Sequence, residues 1–225
     1  MKSGRKQPTG RFQGGQQPSA PQQVRIIGGQ WKRTPLPVLN LPGLRPTPDR
    51  VRETVFNWIN HLRAGNWSGV SCLDLFAGSG ALGFEAASRG AGSVTLVELS
   101  RDAASRLETT RAKLNASQVT IMKADAVAAI HRLQQSRARF DVIFLDPPYG
   151  YGWISTILPL CVPLLAPDGM VYAESDQELP ASGGDDDGVA VLPAWMDGWE
   201  TARADKAGVV AFQLLKRKSM ADFQA

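Results

Sequence analysis

The tetrapeptide Asp146-Pro147-Pro148-Tyr149 sets a carboxylate, backbone carbonyls and an aromatic ring side by side. Neither proline has an N–H, and Pro147 disfavours a helical conformation at Asp146, so the segment is stiff and its carbonyls are free to accept hydrogen bonds. Such a cluster suits a planar group bearing an exocyclic amine. The Tyr149 ring stacks on the plane, while Asp146 and the Pro147 carbonyl accept the amine hydrogens. A nucleobase fits that description. Residues 142–145, just before the cluster, form an apolar run too short for a helix. They read as a strand buried on both faces, which puts the cluster at a strand's C-terminal end, where open α/β sheets bind ligands.

A second candidate site lies upstream. Residues 71–76 read as another buried strand, and the turn from Ala77 through Gly78, Ser79 and Gly80 to Gly83 leads it into a helix over 84–89. A strand, a tight glycine turn and a helix let a cofactor approach backbone N–H groups. Gly78, Gly80 and Gly83 satisfy a bare GxGxxG, which does not choose between a dinucleotide and another adenosine-containing cofactor. Asp74 at the strand end repels a pyrophosphate and suits a cationic amino group. Glu98, twenty residues after Gly78, closes the next strand and is placed to accept both ribose hydroxyls. Asp125 ends a further strand and has two compatible readings: N-cap of the following helix, and acceptor for an adenine amino group.

These residues need a scaffold, and the apolar pattern supplies one. Strands are expected at 71–76, 93–97, 119–122, 142–145 and 169–173, with helices at 84–89, 103–114, 126–133 and from the proline loop through 165. Residues 199–204 and 209–215 read as a closing hairpin, and the acidic stretch 183–188 as a solvated loop. The expected fold class is α/β: a mostly parallel, seven-stranded sheet with an antiparallel edge strand. An amphipathic helix precedes it, with Thr47 as N-cap, Pro48 in the first position, and Val51, Val55, Trp58, Ile59 and Leu62 on its apolar face. Cys72 and Cys161 fall in apolar runs and read as reduced core residues, and His61 and His131 as surface residues. No Cys/His spacing suggests a metal.

Charge is unevenly distributed. Residues 1–53 hold ten Lys and Arg against two acids, whereas residues 54–225 hold fifteen against nineteen, so the basic excess is wholly N-terminal. Such asymmetry points to a polyanion. Residues 1–23 are rich in Gln, Gly, Pro and Ser, carry four basic residues and no acid, and read as a disordered tail. Residues 24–43 read as a hairpin-like extension in which Arg25, Trp31, Lys32 and Arg33 interleave cations with an aromatic ring; Arg45, Arg50 and Arg52 are left for solvent or a ligand. No apolar run is long enough to span a membrane and no signal-peptide core is present, so a cytoplasmic protein is expected.

In order and spacing, Asp74-Leu75-Phe76-Ala77-Gly78-Ser79-Gly80, Glu98, Asp125 and Asp146-Pro147-Pro148-Tyr149 resemble the S-adenosylmethionine-dependent amino-methyltransferases. The segment from Arg45-Pro46-Thr47-Pro48 to Trp58, with Lys206-Ala207-Gly208, narrows the resemblance to the RsmD family, which methylates N2 of one guanine in bacterial 16S ribosomal RNA. The likeness runs from about residue 24 to 217. It implies a Rossmann-like class I methyltransferase domain over 44–217, followed by a tail at 218–225. The cofactor it implies is S-adenosylmethionine, lined by Phe76, Ala77, Gly78, Ser79 and Gly80, with Asp74 near the methionine amino group, Glu98 on the ribose and Asp125 and Ala126 at the adenine. Arg45 and Thr47 are placed toward the methionine carboxylate or the RNA, and residues 146–149 hold the guanine. Arg25, Trp31, Lys32, Arg33, Arg50 and Arg52 become candidate RNA contacts. The implied partner of this expected monomer is 16S rRNA in an assembled or partly assembled small subunit. Two rival readings use fewer of these residues, a nicotinamide-dependent oxidoreductase and a non-catalytic RNA-binding assembly factor; an adenine or cytosine amino-methyltransferase acting on DNA or other RNA is the close alternative, since the same cluster accepts any exocyclic amine.

Overall fold

The computed structural model describes residues 23–38, 47–177, 179–180 and 192–218. Its centre is a seven-stranded sheet built from β3 (Ser71–Asp74), β4 (Ser93–Glu98), β5 (Val119–Lys123), β6 (Phe140–Leu145), β7 (Leu165–Ser175), β8 (Trp199–Ala207) and β9 (Val210–Arg217). The spatial order is β5-β4-β3-β6-β7-β9-β8. The pairings from β5 across to β7 are parallel; β9 runs antiparallel to both β7 and β8. The antiparallel strand thus lies one position in from the edge, which β8 forms.

Period-two alternation divides the sheet's side chains between two helical layers. Cys72, Val142, Phe144 and Tyr172 face α1 (Asp49–Leu62), α2 (Ala81–Arg89) and α3 (Arg101–Leu114), whose Val55, Phe56, Phe84 and Leu107 complete one core. Leu73, Leu75, Ile143, Leu145 and Val171 face the other way, onto Ala129 and Ile130 of α4 (Ala126–Gln135) and Ile157 and Leu158 of α5 (Trp153–Cys161). Both cysteines are buried and free. No described helix is long and apolar enough to cross a membrane.

The helix expected to run through Leu165 stops at Cys161; Val162–Leu164 form a 3-10 turn, and Leu165 already pairs with Phe140. Pro163 within that turn has no N–H to extend an α-helix, so the apolar run hands over to a strand four residues early. The acidic stretch 183–188 lies outside the described residues.

The N-terminal hairpin is present: β1 (Gln23–Arg25) pairs antiparallel with β2 (Pro35–Pro37), Val24 opposite Leu36. Two three-residue strands do not stand alone, and α2 holds them. The Glu85 carboxylate accepts from the Ile27 and Gly28 N–H groups at 2.6 and 2.9 Å. The Ser88 hydroxyl accepts from the Trp31 N–H at 2.9 Å and donates to the Gly28 carbonyl at 2.6 Å, and the Ser88 carbonyl accepts from Gln30. Gly29 has φ +74°, and a Cβ there would lie 1.9 Å from the Ser88 carbonyl oxygen, so the turn sits directly on the helix backbone.

Arg52 corrects an expectation. Its side chain is fully buried and donates to the Arg25 carbonyl at 2.9 Å and to Asp49 Oδ1 at 2.6 Å. It ties α1 to the hairpin and does not face solvent or RNA. A residue on the same helical face as Val51 and Val55 was bound to be covered once the hairpin folded over it. Trp31 is also drawn inward, half-buried against the same core. Arg25, Lys32, Arg33 and Arg50 are exposed.

Candidate active site

The first strand of the sheet, β3, has its successors β4 and β5 on one side and β6 and β7 on the other. The chain reverses its direction of progress between β3 and β6, which opens a crevice beyond their C-terminal ends. Asp74, Glu98, Asp125, Asp146 and Glu174 stand within two residues of the C-terminal ends of the five parallel strands.

On the β3–β4 side lies the glycine turn. Asp74 is buried; its Oδ2 accepts from the Gly83 N–H at 3.1 Å, and its buried Oδ1 has no hydrogen-bond partner among the described residues. Burial pushes its carboxyl up to about 7, against the lowering pull of the Gly83 and Phe76 N–H groups and with a smaller raising contribution from Glu98. A buried acceptor atom without a donor is what an ammonium group would satisfy. Glu98 accepts from the Gly78 N–H at 2.8 Å through Oε2 and from the Ser100 N–H at 2.7 Å through Oε1, so it clasps the glycine turn from the neighbouring strand. Each carboxylate oxygen keeps a second lone pair. Gly83 is required by contact: a Cβ there would lie 2.1 Å from Leu96 Cδ2.

The cap reading of Asp125 is the one seen in the structure. It caps α4 through Oδ1, accepting from Val127 and Ala128 N–H groups at 2.9 and 3.2 Å, and Oδ2 stands outside the cap. Ala126 is buried beside it, while Phe76 and Ser79 are half-buried at the turn, the Phe76 ring 6.0 Å from that of Trp153. The chemistry of the residues at β3, β4 and β5 fits S-adenosylmethionine: a buried carboxylate with an open acceptor suits an ammonium, and two further carboxylates at the neighbouring strand ends suit hydroxyl and amine donors.

Asp146 lies across the crevice. Its Oδ2 accepts from the Thr47 hydroxyl at 2.6 Å. Burial raises its proton affinity well above the ordinary carboxylate range, Glu174 and Asp74 add to this, and only the Thr47 bond opposes it. Thr47 is therefore not the N-cap expected of it: its hydroxyl is turned to Asp146, and Pro48, one residue later than the expected cap, holds that position with no side-chain acceptor to offer. Arg45, expected beside it, lies outside the described residues.

Pro147 is buried and Pro148 exposed; with the half-buried Tyr149 they line a cleft that continues to Trp153, Asp176 and Trp195. The Tyr149 hydroxyl donates to Glu174 Oε1 at 2.6 Å, and the Tyr172 hydroxyl donates to Oε2 at the same distance. Glu174 and Tyr172 were given no role by sequence reasoning, nor were Glu85 and Ser88 beneath the hairpin. The signal for Glu174 was available, since it ends its strand with an acid as Asp74 and Glu98 do.

Residues 24–216 match the family model described as conserved hypothetical protein 95. Ribosomal RNA small subunit methyltransferase D of Escherichia coli K12 is 38% identical over 205 residues, covering 90% of this chain and 94% of its own length. The protein of the same name from Haemophilus influenzae is 36% identical, with 88% and 96% covered. The solved structure of yhhF from Escherichia coli superposes with a TM-score of 0.68 at 36% identity, covering 87% of this chain and 98% of its own. At 15% identity, SMU.776, solved in complex with SAH, shares the fold with a TM-score of 0.60, covering 88% of this chain and 56% of its own. The fold is that of the S-adenosylmethionine-dependent methyltransferases, and the chain belongs to the RsmD family of ribosomal RNA small subunit methyltransferases.

Proposed function

We propose that this chain methylates the exocyclic N2 of one guanine of 16S rRNA, within an assembled or partly assembled small subunit. The observation that carries the reading is that one crevice holds both the buried Asp74 Oδ1, without a partner among the described residues, and the Thr47-held Asp146 carboxylate. S-adenosylmethionine supplies a methyl group on a sulfonium centre. Asp74 binds its amino group, Glu98 its ribose and Asp125 its adenine. A pyrophosphate would be repelled by Asp74, which disfavours a nicotinamide cofactor.

Guanine suits the acceptor side. Its N2 amine lies beside the N1–H, giving two adjacent donors, whereas the amines of adenine and cytosine lie beside a ring-nitrogen acceptor that a carboxylate repels. Glu174 and Asp176 line this cleft, and Asp146 immediately precedes its Pro147 wall. Asp146 and the Pro147 carbonyl accept the N2 hydrogens, aim the lone pair and favour a more pyramidal nitrogen. The raised proton affinity of Asp146 suits it to take the proton that the methylated amine sheds. The base must leave its stack to enter, and the Tyr149 ring replaces a stacking neighbour. In this reading the exposed Arg25, Lys32, Arg33 and Arg50 meet phosphates.

Incubation with labelled S-adenosylmethionine and under-modified small subunits, followed by mass-spectrometric mapping, tests the assignment. N2-methylguanosine at one position is expected; label on adenine or cytosine overturns it. Asp146→Ala lowers turnover about 10²- to 10⁴-fold with donor affinity nearly intact.

A further inference from the structure

Glu174 lies 1% exposed at the end of β7, with each carboxylate oxygen committed to a different tyrosine. Tyr172, two residues back on the same face of the strand, is fully buried and meets the Phe144 ring edge-on at 6.3 Å. That hydroxyl fixes Glu174 from the core side. Tyr149 comes from a different element, the loop after β6, and its hydroxyl meets Glu174 from the cleft side. Gly150 and Gly152 follow it in the chain, so the loop itself offers the ring little lateral support.

We propose that Glu174 is a positioning residue for the acceptor base: through the phenol hydroxyl it holds the Tyr149 ring as a fixed wall of the cleft, referred back to the rigid core by Tyr172. The inference rests on the acceptor reading given above. Without the tether the ring keeps its apolar contacts but loses its fixed angle, and a base stacked on it presents N2 out of line with the methyl group. An ångström of misplacement at a reacting atom slows group transfer severely. Glu174 is almost wholly buried and gives one oxygen to each hydroxyl, so it acts through Tyr149 and does not touch the base.

The test uses the full chain, under-modified small subunits and labelled S-adenosylmethionine. Tyr149→Phe keeps the ring and removes the tether; it lowers kcat about ten-fold while KM for the subunit and calorimetric donor affinity stay within about two-fold. Glu174→Ala loses at least as much, and the double variant is no worse than Glu174→Ala alone, because both changes remove one linkage. Glu174→Gln recovers most of the loss, since its amide offers an oxygen to one hydroxyl and an N–H to the other. Wild-type kcat in Tyr149→Phe, or losses that multiply in the double variant, overturns the clamp. Should Glu174→Ala not fold, Tyr149→Phe decides alone. If the wild-type chain yields no methylated nucleotide, the acceptor reading falls before any variant is compared.

Discussion

Thr47 Oγ1 and Asp146 Oδ2 stand 2.6 Å apart although ninety-nine residues separate them in the chain. The residue that leads into α1 is thereby attached to the loop after β6. The Thr47 bond is the influence that favours ionised Asp146, against burial and the charges of Glu174 and Asp74. Thr47→Val keeps the shape and removes the donor. Turnover falls about ten-fold, and the acid limb of the pH–rate profile moves to higher pH, because an Asp146 still more avid for its proton is ionised later. A profile that moves to lower pH contradicts this arrangement.

Donor binding should release a proton. Asp74 titrates near 7 in the free protein, chiefly through burial, and an ammonium beside it favours the ionised form. Protons bound to Asp74 below that pH must leave when the donor enters. Affinity for S-adenosylmethionine therefore rises by up to about ten-fold per pH unit between 5 and 7 and then levels. Calorimetry in two buffers of different ionisation enthalpy measures the released proton, and Asp74→Asn abolishes it.

Gly29→Ala would place a methyl group against the Ser88 carbonyl in a left-handed conformation, so the hairpin must lift from α2. A loss of about 2 kcal/mol or more in hairpin docking is expected. Faster trypsin cleavage at Arg25, Lys32 and Arg33, with the central sheet still folded by circular dichroism, would show it.

Lys32 and Arg33 are exposed at the hairpin turn. If both meet phosphates, replacing the pair with Ala reduces the log–log salt slope of RNA binding by about 1.4, at ~0.7 per contact on single-stranded RNA. An unchanged slope removes the hairpin turn from the RNA interface.

Strand positions were legible because buried parallel strands are short, nearly continuous apolar runs closed by a polar residue, as residues 142–145 before Asp146 illustrate. The glycine turn was legible because close packing against Leu96 leaves no room for a side chain at Gly83. What escaped was long-range partnership. Nothing local tells that Arg52 is roofed by a hairpin arriving from twenty-seven residues earlier, or that the Thr47 hydroxyl prefers Asp146 to its own helix. Glu85 was hidden for a related reason: within a helix, a buried acid and an exposed one look alike until the N–H groups of Ile27 and Gly28 arrive. The end of α5 escaped because an apolar run that changes from helix to strand at Leu165 carries one hydrophobic signal throughout.

Five carboxylates along one margin of the sheet also say something about heat. A folded state that raises the proton affinity of Asp74 and Asp146 is one that their ionisation weakens, so near neutral pH this margin works against the rest of the molecule. Neutralising Asp74 as Asn should lift the melting temperature even as it abolishes chemistry, and the cationic donor should lift it in the native chain. The protein is then at its most robust when charged and ready to react.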